Sequence, residues 1–135
     1  MYSITVRNNI LIAHSLPGEV FGPAQNMHGA TYIVDAEFYA KELNKYNIIM
    51  DLGVVTNILA EILKFYSYKN LDEVEEFKDV ITSTEFLAKD IYQRIVDRLK
   101  KDYLDDYENL HKIKIILTES NVAWASYEQE ISQKS

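Results

Sequence analysis

The chain has 135 residues, 47% of them hydrophobic, with a formal net charge of −7 and no cysteine. This size and composition fit one domain with a substantial core, and the acidic balance without a basic cluster argues against a nucleic-acid surface. No signal-like segment opens the chain, and no apolar run approaches the roughly 18 residues of a membrane span, so we predict a single cytoplasmic domain, residues 1–135, that binds small molecules or proteins but no membrane.

Residues 2–13 and 30–40 are predicted to form the first two strands. Both segments are rich in β-branched and aromatic residues, and apolar and polar residues partly alternate along them. Two Gly/Pro pairs, at residues 17–18 and 22–23, predict a loop between them. His14 follows the first segment and His28 precedes the second, so the two histidines flank this loop.

Two amphipathic helices are predicted in the middle of the chain. Apolar residues recur at three- and four-residue steps over 52–66, with Asp51 as the predicted N-cap. A second helix is predicted over about 82–101, because the Thr-Ser-Thr-Glu sequence at its start has the spacing of a capping box. The predicted apolar face of this helix consists of Leu87, Ile91, Ile95 and Leu99.

The last third of the chain is predicted to contain a loop and two more strands. The charged stretch 102–110 is typical of a loop, and strands 113–117 and 122–127 are predicted around a turn at 119–121. The resulting β-β-α-α-β-β order favours an α+β domain whose antiparallel sheet carries both helices on one face. Such a sheet has unpaired edges, so we expect the chain to form oligomers.

The histidines suggest an incomplete metal site. Side chains at positions i and i+2 of a strand share a face, so a His-x-His pair can hold one ion, but here the second strand begins His28-Gly29-Ala30. Zinc enzymes usually supply three protein ligands and leave one position open. The third histidine, His111, lies eight residues before Glu119, about 26 Å away along a strand, and is not expected to complete a site near Glu119.

Several short motifs occur in a recognisable order. They are Ala13-His14, His28-Gly29-x-x-Tyr32, Met50-Asp51-Leu52-Gly53, Leu71-Asp72, Thr82-Ser83-Thr84-Glu85, and Thr118-Glu119-Ser120 followed by Ala123-Trp124-Ala125-Ser126-Tyr127. Together they resemble the 6-pyruvoyl-tetrahydropterin synthase and 6-carboxy-tetrahydropterin synthase family over nearly the whole chain. The resemblance implies the T-fold, a β-β-α-α-β-β unit whose trimers close a barrel and stack into hexamers, and hence a homohexamer.

The resemblance also implies that the catalytic apparatus has been lost. His14 and His28 match two of the three zinc ligands of the family, and the third is Ala30. The catalytic cysteine, which acts as the base, corresponds to Ala24. Asp72 matches the aspartate of an Asp-His relay pair, but Glu73 replaces its histidine. We therefore expect no metal or other cofactor and no synthase reaction, because metal polarisation and the base are missing together.

The family pocket for the pterin ring is better preserved. Glu119 matches the glutamate that accepts adjacent N–H groups from the ring, and Ser83, Thr84 and Glu85 match further pterin contacts. We also hypothesise that Gln25 hydrogen-bonds the side chain of the ligand. Without the resemblance, Glu85 fits a capping-box carboxylate equally well. Glu119 would then be interpreted as a solvated turn residue.

Three functional classes follow from these residues. The first is a binding or regulatory module that keeps the pterin pocket without catalysis. The second is a metal-free enzyme on a pterin-like substrate, with His14, His28 or Glu73 as the acid-base group. The third is a purely structural role, in which the histidines are ordinary half-buried residues; a weak metal site completed by water or Glu73 is a further alternative.

Overall fold

The structure describes residues 1–131, which form a five-stranded sheet covered on one face by helices. The structure is a computed structural model. Its elements are β1 (Tyr2–His14), β2 (His28–Ala40), α1 (Leu52–Leu63), β3 (Lys69–Asn70), α2 (Thr84–Asp102), α3 (Leu104–Glu108), β4 (Lys112–Ser120) and β5 (Ala123–Glu130). The strand order is β3-β1-β2-β4-β5; only the short pairing of β1 with β3 is parallel.

The two faces of the sheet differ because alternate residues of a strand point to opposite sides. The face away from the helices carries charged side chains such as the ion pair of Arg7 with Asp35, whose Nε and Oδ1 atoms are 2.7 Å apart. Helix α1 packs on β1, and α2 packs on β4 and β5. No helix within residues 1–131 is both long and apolar enough to cross a membrane. The helix-facing residues of β2 are almost fully buried: Tyr32, Val34, Ala36, Phe38 and Ala40.

The predicted α+β architecture is confirmed by this arrangement. All four predicted strands and both predicted helices are present, and the helices pack on the same face of the sheet. The predicted N-cap of α1 is also confirmed, because Asp51 Oδ1 accepts a hydrogen bond from the amide of Val54 at 2.9 Å.

Helix α1 ends at Leu63 and not at residue 66 as the apolar pattern predicts. Beyond Leu63, the amides of Phe65 and Tyr66 donate to carbonyls only three residues back, which closes the helix in tight turns. Tyr68 then adopts a positive φ of 61°, and its amide donates to the carbonyl of Leu11 at 2.6 Å. The chain leaves the helix early because this turn places β3 beside β1.

The prediction of a loop over residues 102–110 is wrong, since α3 occupies part of this segment. Asp105 and Asp106 lie in its first turn, where negative charge interacts favourably with the helix dipole. Tyr107 packs against the core, and Leu110 is fully buried just after the helix. Anchoring at these two side chains lets a charged sequence form a short helix.

Candidate functional site

The register of β1 and β2 brings two histidines together at one end of the sheet. His14 lies opposite His28, and Ile10 lies opposite Tyr32. Because alternate residues of a strand share a face, His28, Ala30 and Tyr32 all lie on the helix-facing side of β2. The histidines of the two separate motifs therefore lie side by side, next to the residues that precede α2.

His14 and His28 form a close polar pair. Their ring centroids are 4.6 Å apart in an edge-to-face arrangement. His14 Nδ1 is 3.0 Å from Thr82 Oγ1, and His28 Nδ1 donates to the carbonyl of Asn26 at 2.9 Å. Burial, helped by the charge of His28, lowers the pKa of His14 against the opposing effects of Asp72 and the Thr82 hydrogen bond. His14 is therefore a neutral imidazole at neutral pH.

Asp72 is held beside this pair by the end of β1. The amide of Ser15 donates to both carboxylate oxygens of Asp72 at 3.2 and 3.1 Å, and Ser15 Oγ donates to Oδ2 at 2.6 Å. Glu73, the next residue of the same short 3₁₀ turn (Leu71–Glu73), is exposed. Asp72 thus joins the histidine pair electrostatically, while its oxygens are engaged by Ser15.

The residues around the histidine pair do not fit a zinc ion. Ala30 offers no ligand atom, and the part of the chain that the structure describes contains no group of three His, Cys, Asp or Glu side chains able to hold a metal. Structural and catalytic zinc sites require at least three protein ligands. His111 lies at the other end of the sheet, where its amide donates to the carbonyl of Tyr39. This position agrees with the predicted separation of His111 from Glu119.

Glu119 lies in a strand and not in the turn that the sequence predicts. Thr118 pairs with Trp124 and Ser120 pairs with Ala123, so the register shifts at Glu119 and creates a β-bulge. A bulge leaves its extra residue outside the regular ladder and redirects the side chain. The carboxylate of Glu119 is accordingly presented at an irregular strand end, with the residue exposed.

Tyr32 connects Glu119 with the beginning of α2. Its side chain is buried, with 1% of its surface exposed, and its hydroxyl oxygen is 3.2 Å from Thr84 Oγ1. Burial raises the pKa of Tyr32; the carboxylates of Glu119 and Glu85 raise it further, whereas the hydrogen bond to Thr84 lowers it. The hydroxyl of Tyr32 on β2 is therefore influenced by the charges of one carboxylate on β4 and one on α2.

The predicted capping box at the start of α2 does not form. Ser83, not Thr82, is the N-cap, and its Oγ accepts from the amide of Phe86 at 3.1 Å. In a capping box starting at Ser83, the reciprocal carboxylate would belong to the residue three positions later, which is Phe86. Of the three predicted contacts in this segment, Ser83 is engaged in capping and Thr84 bonds Tyr32, while Glu85 is exposed on the first turn.

Gln25 lies apart from these contacts. It ends a 3₁₀ segment, Glu19–Gln25, in the loop between β1 and β2, and its Nε2 donates to the carbonyl of Gly22 at 3.0 Å. The structure thus gives Gln25 a partner within its own loop. Sequence analysis includes Tyr32 and Thr82 in its motifs but assigns neither of them a role in the site. For Tyr32, its place on the same strand face as His28 was the available signal, since buried hydroxyls need partners.

The chain matches a sequence model of a family described as 6-pyruvoyl tetrahydropterin synthase over residues 3–130. Comparison with curated protein sequences gives no match. The 6-pyruvoyl tetrahydropterin synthase of Caenorhabditis elegans is similar in structure, with a TM-score of 0.77 and 19% identity over 95% of each chain. The Plasmodium falciparum enzyme gives 0.77 and 15%, over 96% of this chain and 98% of that one.

A variant of the Plasmodium vivax enzyme is also similar, with a TM-score of 0.77 and 14% identity over 96% of this chain and 98% of that one. The residue substituted in that variant is a glutamate named as catalytic. At these identities the likeness concerns the fold, and it confirms the predicted T-fold.

Proposed function

This chain belongs to the 6-pyruvoyl tetrahydropterin synthase family, and from that membership we propose that it binds a pterin-like heterocycle through Glu119 without carrying out the family reaction. The observation that carries the proposal is the common environment of Glu119, Glu85 and the Tyr32–Thr84 hydrogen bond. Three separate elements supply these groups, so the arrangement is specific to the folded chain.

The chemistry of this cluster suits one edge of a pterin ring. That edge presents an amino group and a ring N–H side by side, and a carboxylate accepts both hydrogen bonds at once. The β-bulge leaves the Glu119 carboxylate available for such contacts. Thr84 and the free amides at the start of α2 supply donors for acceptor atoms of the same ring.

The residue changes at the other end of the site support the loss of the family reaction. Ala30 and Ala24 stand where the family has a zinc ligand and a base, and Glu73 stands where it has a histidine. Two imidazoles with no third ligand among the described residues 1–131 do not make a zinc enzyme site. The chain therefore keeps the residues proposed to bind the pterin ring and lacks those needed to bind zinc.

The test is a titration of purified protein of known metal content with neopterin, biopterin and a non-pterin purine. We expect saturable binding of both pterins, with about 10- to 100-fold weaker binding in Glu119→Gln, because hydrogen bonds to a charged group are lost. Glu42→Gln is the matched control, since it removes the same charge from an exposed residue just after β2, at the other end of the sheet.

Two results would contradict the proposal. If the wild-type protein binds neither pterin, only the scaffold of the family is retained. If Glu119→Gln binds as tightly as Glu42→Gln, the carboxylate at the bulge is not the anchor.

A metal-free enzyme is the second candidate function, and the histidine pair is the observation that favours it. His28 donates from Nδ1 to Asn26, so in its neutral form Nε2 is an acceptor. His14 has a lowered pKa and is available as a base at neutral pH. Glu73, which is exposed in the 3₁₀ turn Leu71–Glu73, is the carboxylate alternative to the two histidines for acid-base work.

Incubation of the metal-analysed protein with a reduced pterin such as 7,8-dihydroneopterin tests this second candidate. Turnover that disappears in His28→Gln but persists in His111→Gln would support acid-base catalysis by the pair. Binding without turnover in the wild type would rule the second candidate out and leave the binding function intact.

A further inference from the structure

One ring nitrogen of His28 is an oriented hydrogen-bond acceptor. His28 Nδ1 is 2.9 Å from the carbonyl oxygen of Asn26, and because a carbonyl only accepts, Nδ1 carries the hydrogen and Nε2 of the neutral ring is bare. Within residues 1–131 this Nε2 has no hydrogen-bond partner and is not among the buried atoms that lack one. His28 is half-buried, so a bound molecule can reach Nε2.

A carboxylate lies within electrostatic range of the histidine pair. The ring centroids of His14 and His28 are 4.6 Å apart, and the charge of Asp72 acts on His14. Hydrogen bonds from the amide and the hydroxyl of Ser15 fix the position of this carboxylate. A lone pair beside a fixed negative charge favours a molecule that brings both a hydrogen-bond donor and a positive charge.

The spacing along β2 determines which part of a ligand reaches the histidine pair. Glu119 follows Thr118, which pairs with Ile33, so the proposed anchor lies at the level of Tyr32. His28 lies on the same strand face as Tyr32, about 13 Å further along the strand. A two-ring heterocycle anchored at Glu119 and directed along β2 therefore presents a short side chain to the histidine pair.

We propose that the histidine pair is a specificity site for a primary ammonium group at the end of the side chain of the ligand. His28 Nε2 accepts a hydrogen bond from this group, and Asp72 compensates its charge at longer range. The inference rests on the proposed pterin binding through Glu119 and names the ligand class as pterins with an aminoalkyl side chain. A hydroxyl brings no charge, and a carbonyl oxygen places lone pair against lone pair, so both bind less tightly.

The test compares the affinities of 6-(2-aminoethyl)pterin and 6-(2-hydroxyethyl)pterin at pH 7.5. At this pH an alkyl amine is charged and an ordinary histidine is largely neutral. The two ligands share the ring and the length of the side chain, so the difference in affinity reports on the end group. We expect the wild type to bind the aminoethyl compound about tenfold more tightly, because its hydrogen bond to His28 is charge-assisted.

Two variants assign this preference to the histidine pair. His28→Phe keeps an aromatic ring against His14 but removes the acceptor, and it should abolish the preference. Asp72→Asn removes the charge and should reduce the preference about threefold. Asp97→Asn is the matched control and should keep the wild-type preference, since Asp97 is an exposed carboxylate on α2 that likewise accepts a hydrogen bond, from Gln93.

The outcomes separate this inference from the proposed function. If the wild type binds the aminoethyl compound no more tightly than the hydroxyethyl compound, and both are lost in Glu119→Gln, the inference is wrong and the proposed function stands. A preference that survives in His28→Phe would also overturn the inference, because the ammonium group would then bind elsewhere. If the wild type binds neither compound, both the inference and the proposed function fail.

Discussion

At the scale of single residues, burial changes the chemistry of His14. It is 1% exposed, although it stands at a strand end beside a loop. Its ring packs against His28 and bonds Thr82. These contacts favour a neutral ring because a buried cation next to a second imidazole is costly.

The lowered pKa of His14 predicts a specific dependence of stability on pH. An unfolded histidine titrates near 6.5, so below that pH the unfolded state binds a proton that the folded state resists. The free energy of unfolding should therefore fall as pH decreases from neutral through about 6.5 toward the lower pKa of the folded state. Urea denaturation at pH 7.5 and 5.5 measures this loss, and the loss should be smaller in His14→Gln.

His111→Gln is the control for this measurement, because it removes a histidine at the far end of the sheet. If His14→Gln loses as much stability between the two pH values as the wild type, His14 is not the group responsible.

At the scale of elements, the start of α2 connects the two halves of the site. Thr82 bonds His14, Ser83 caps the helix and Thr84 bonds Tyr32. Three successive hydroxyls therefore have three different partners, from β1, α2 and β2. Small shifts in the start of this helix would move the donors at both ends of the site.

The cap observed at Ser83 predicts the effect of its removal. Ser83→Ala should lower the free energy of unfolding by about 1 kcal/mol, because the Phe86 amide loses its acceptor. Ser83→Asp retains a capping oxygen and should stay near the wild-type value. Chemical denaturation of the three proteins measures the difference. Unchanged stability in Ser83→Ala would mean that another residue, such as Thr82, caps the helix in solution.

At the scale of the whole molecule, the sheet ends in two edges that residues 1–131 leave unpaired. The β3 edge strand has only two residues, and β5 forms the other edge. Trp124 on β5 is 64% exposed, and the register places it in one row with Thr118 and the partly exposed Ile33. Trp124 is thus no core residue of the chain, and an exposed aromatic at a sheet edge favours a contact with another subunit.

We predict a homohexamer, as the family resemblance implies. Sedimentation equilibrium should give six times the chain mass of 15.7 kDa. Trp124→Glu should lower this mass, because a charge would be placed at the proposed contact. Tyr46→Glu, at a similarly exposed aromatic in the loop after β2, should not lower the mass. A monomer at micromolar concentration in the wild type would contradict the prediction.

The sequence by itself determined the α+β class, the order of the four long strands and the two long helices, and the helix-facing positions, because local apolar periodicity decides which side of an element is buried. It also indicated Glu119, His14 and His28 through short motifs. The interactions that organise the site join residues far apart in the chain. Thr82 lies 68 residues from His14, and Thr84 lies 52 residues from Tyr32.

Only the tertiary structure could pair such residues, because local patterns carry no information about the register between distant segments. The same reason applies to the bulge at Glu119 and the early end of α1. The bulge arises from the pairing of β4 with β5, and the helix ends where the chain must reach the edge of β1. Sequence periodicity therefore determined the faces of the elements, and long-range packing decided which polar groups meet on them.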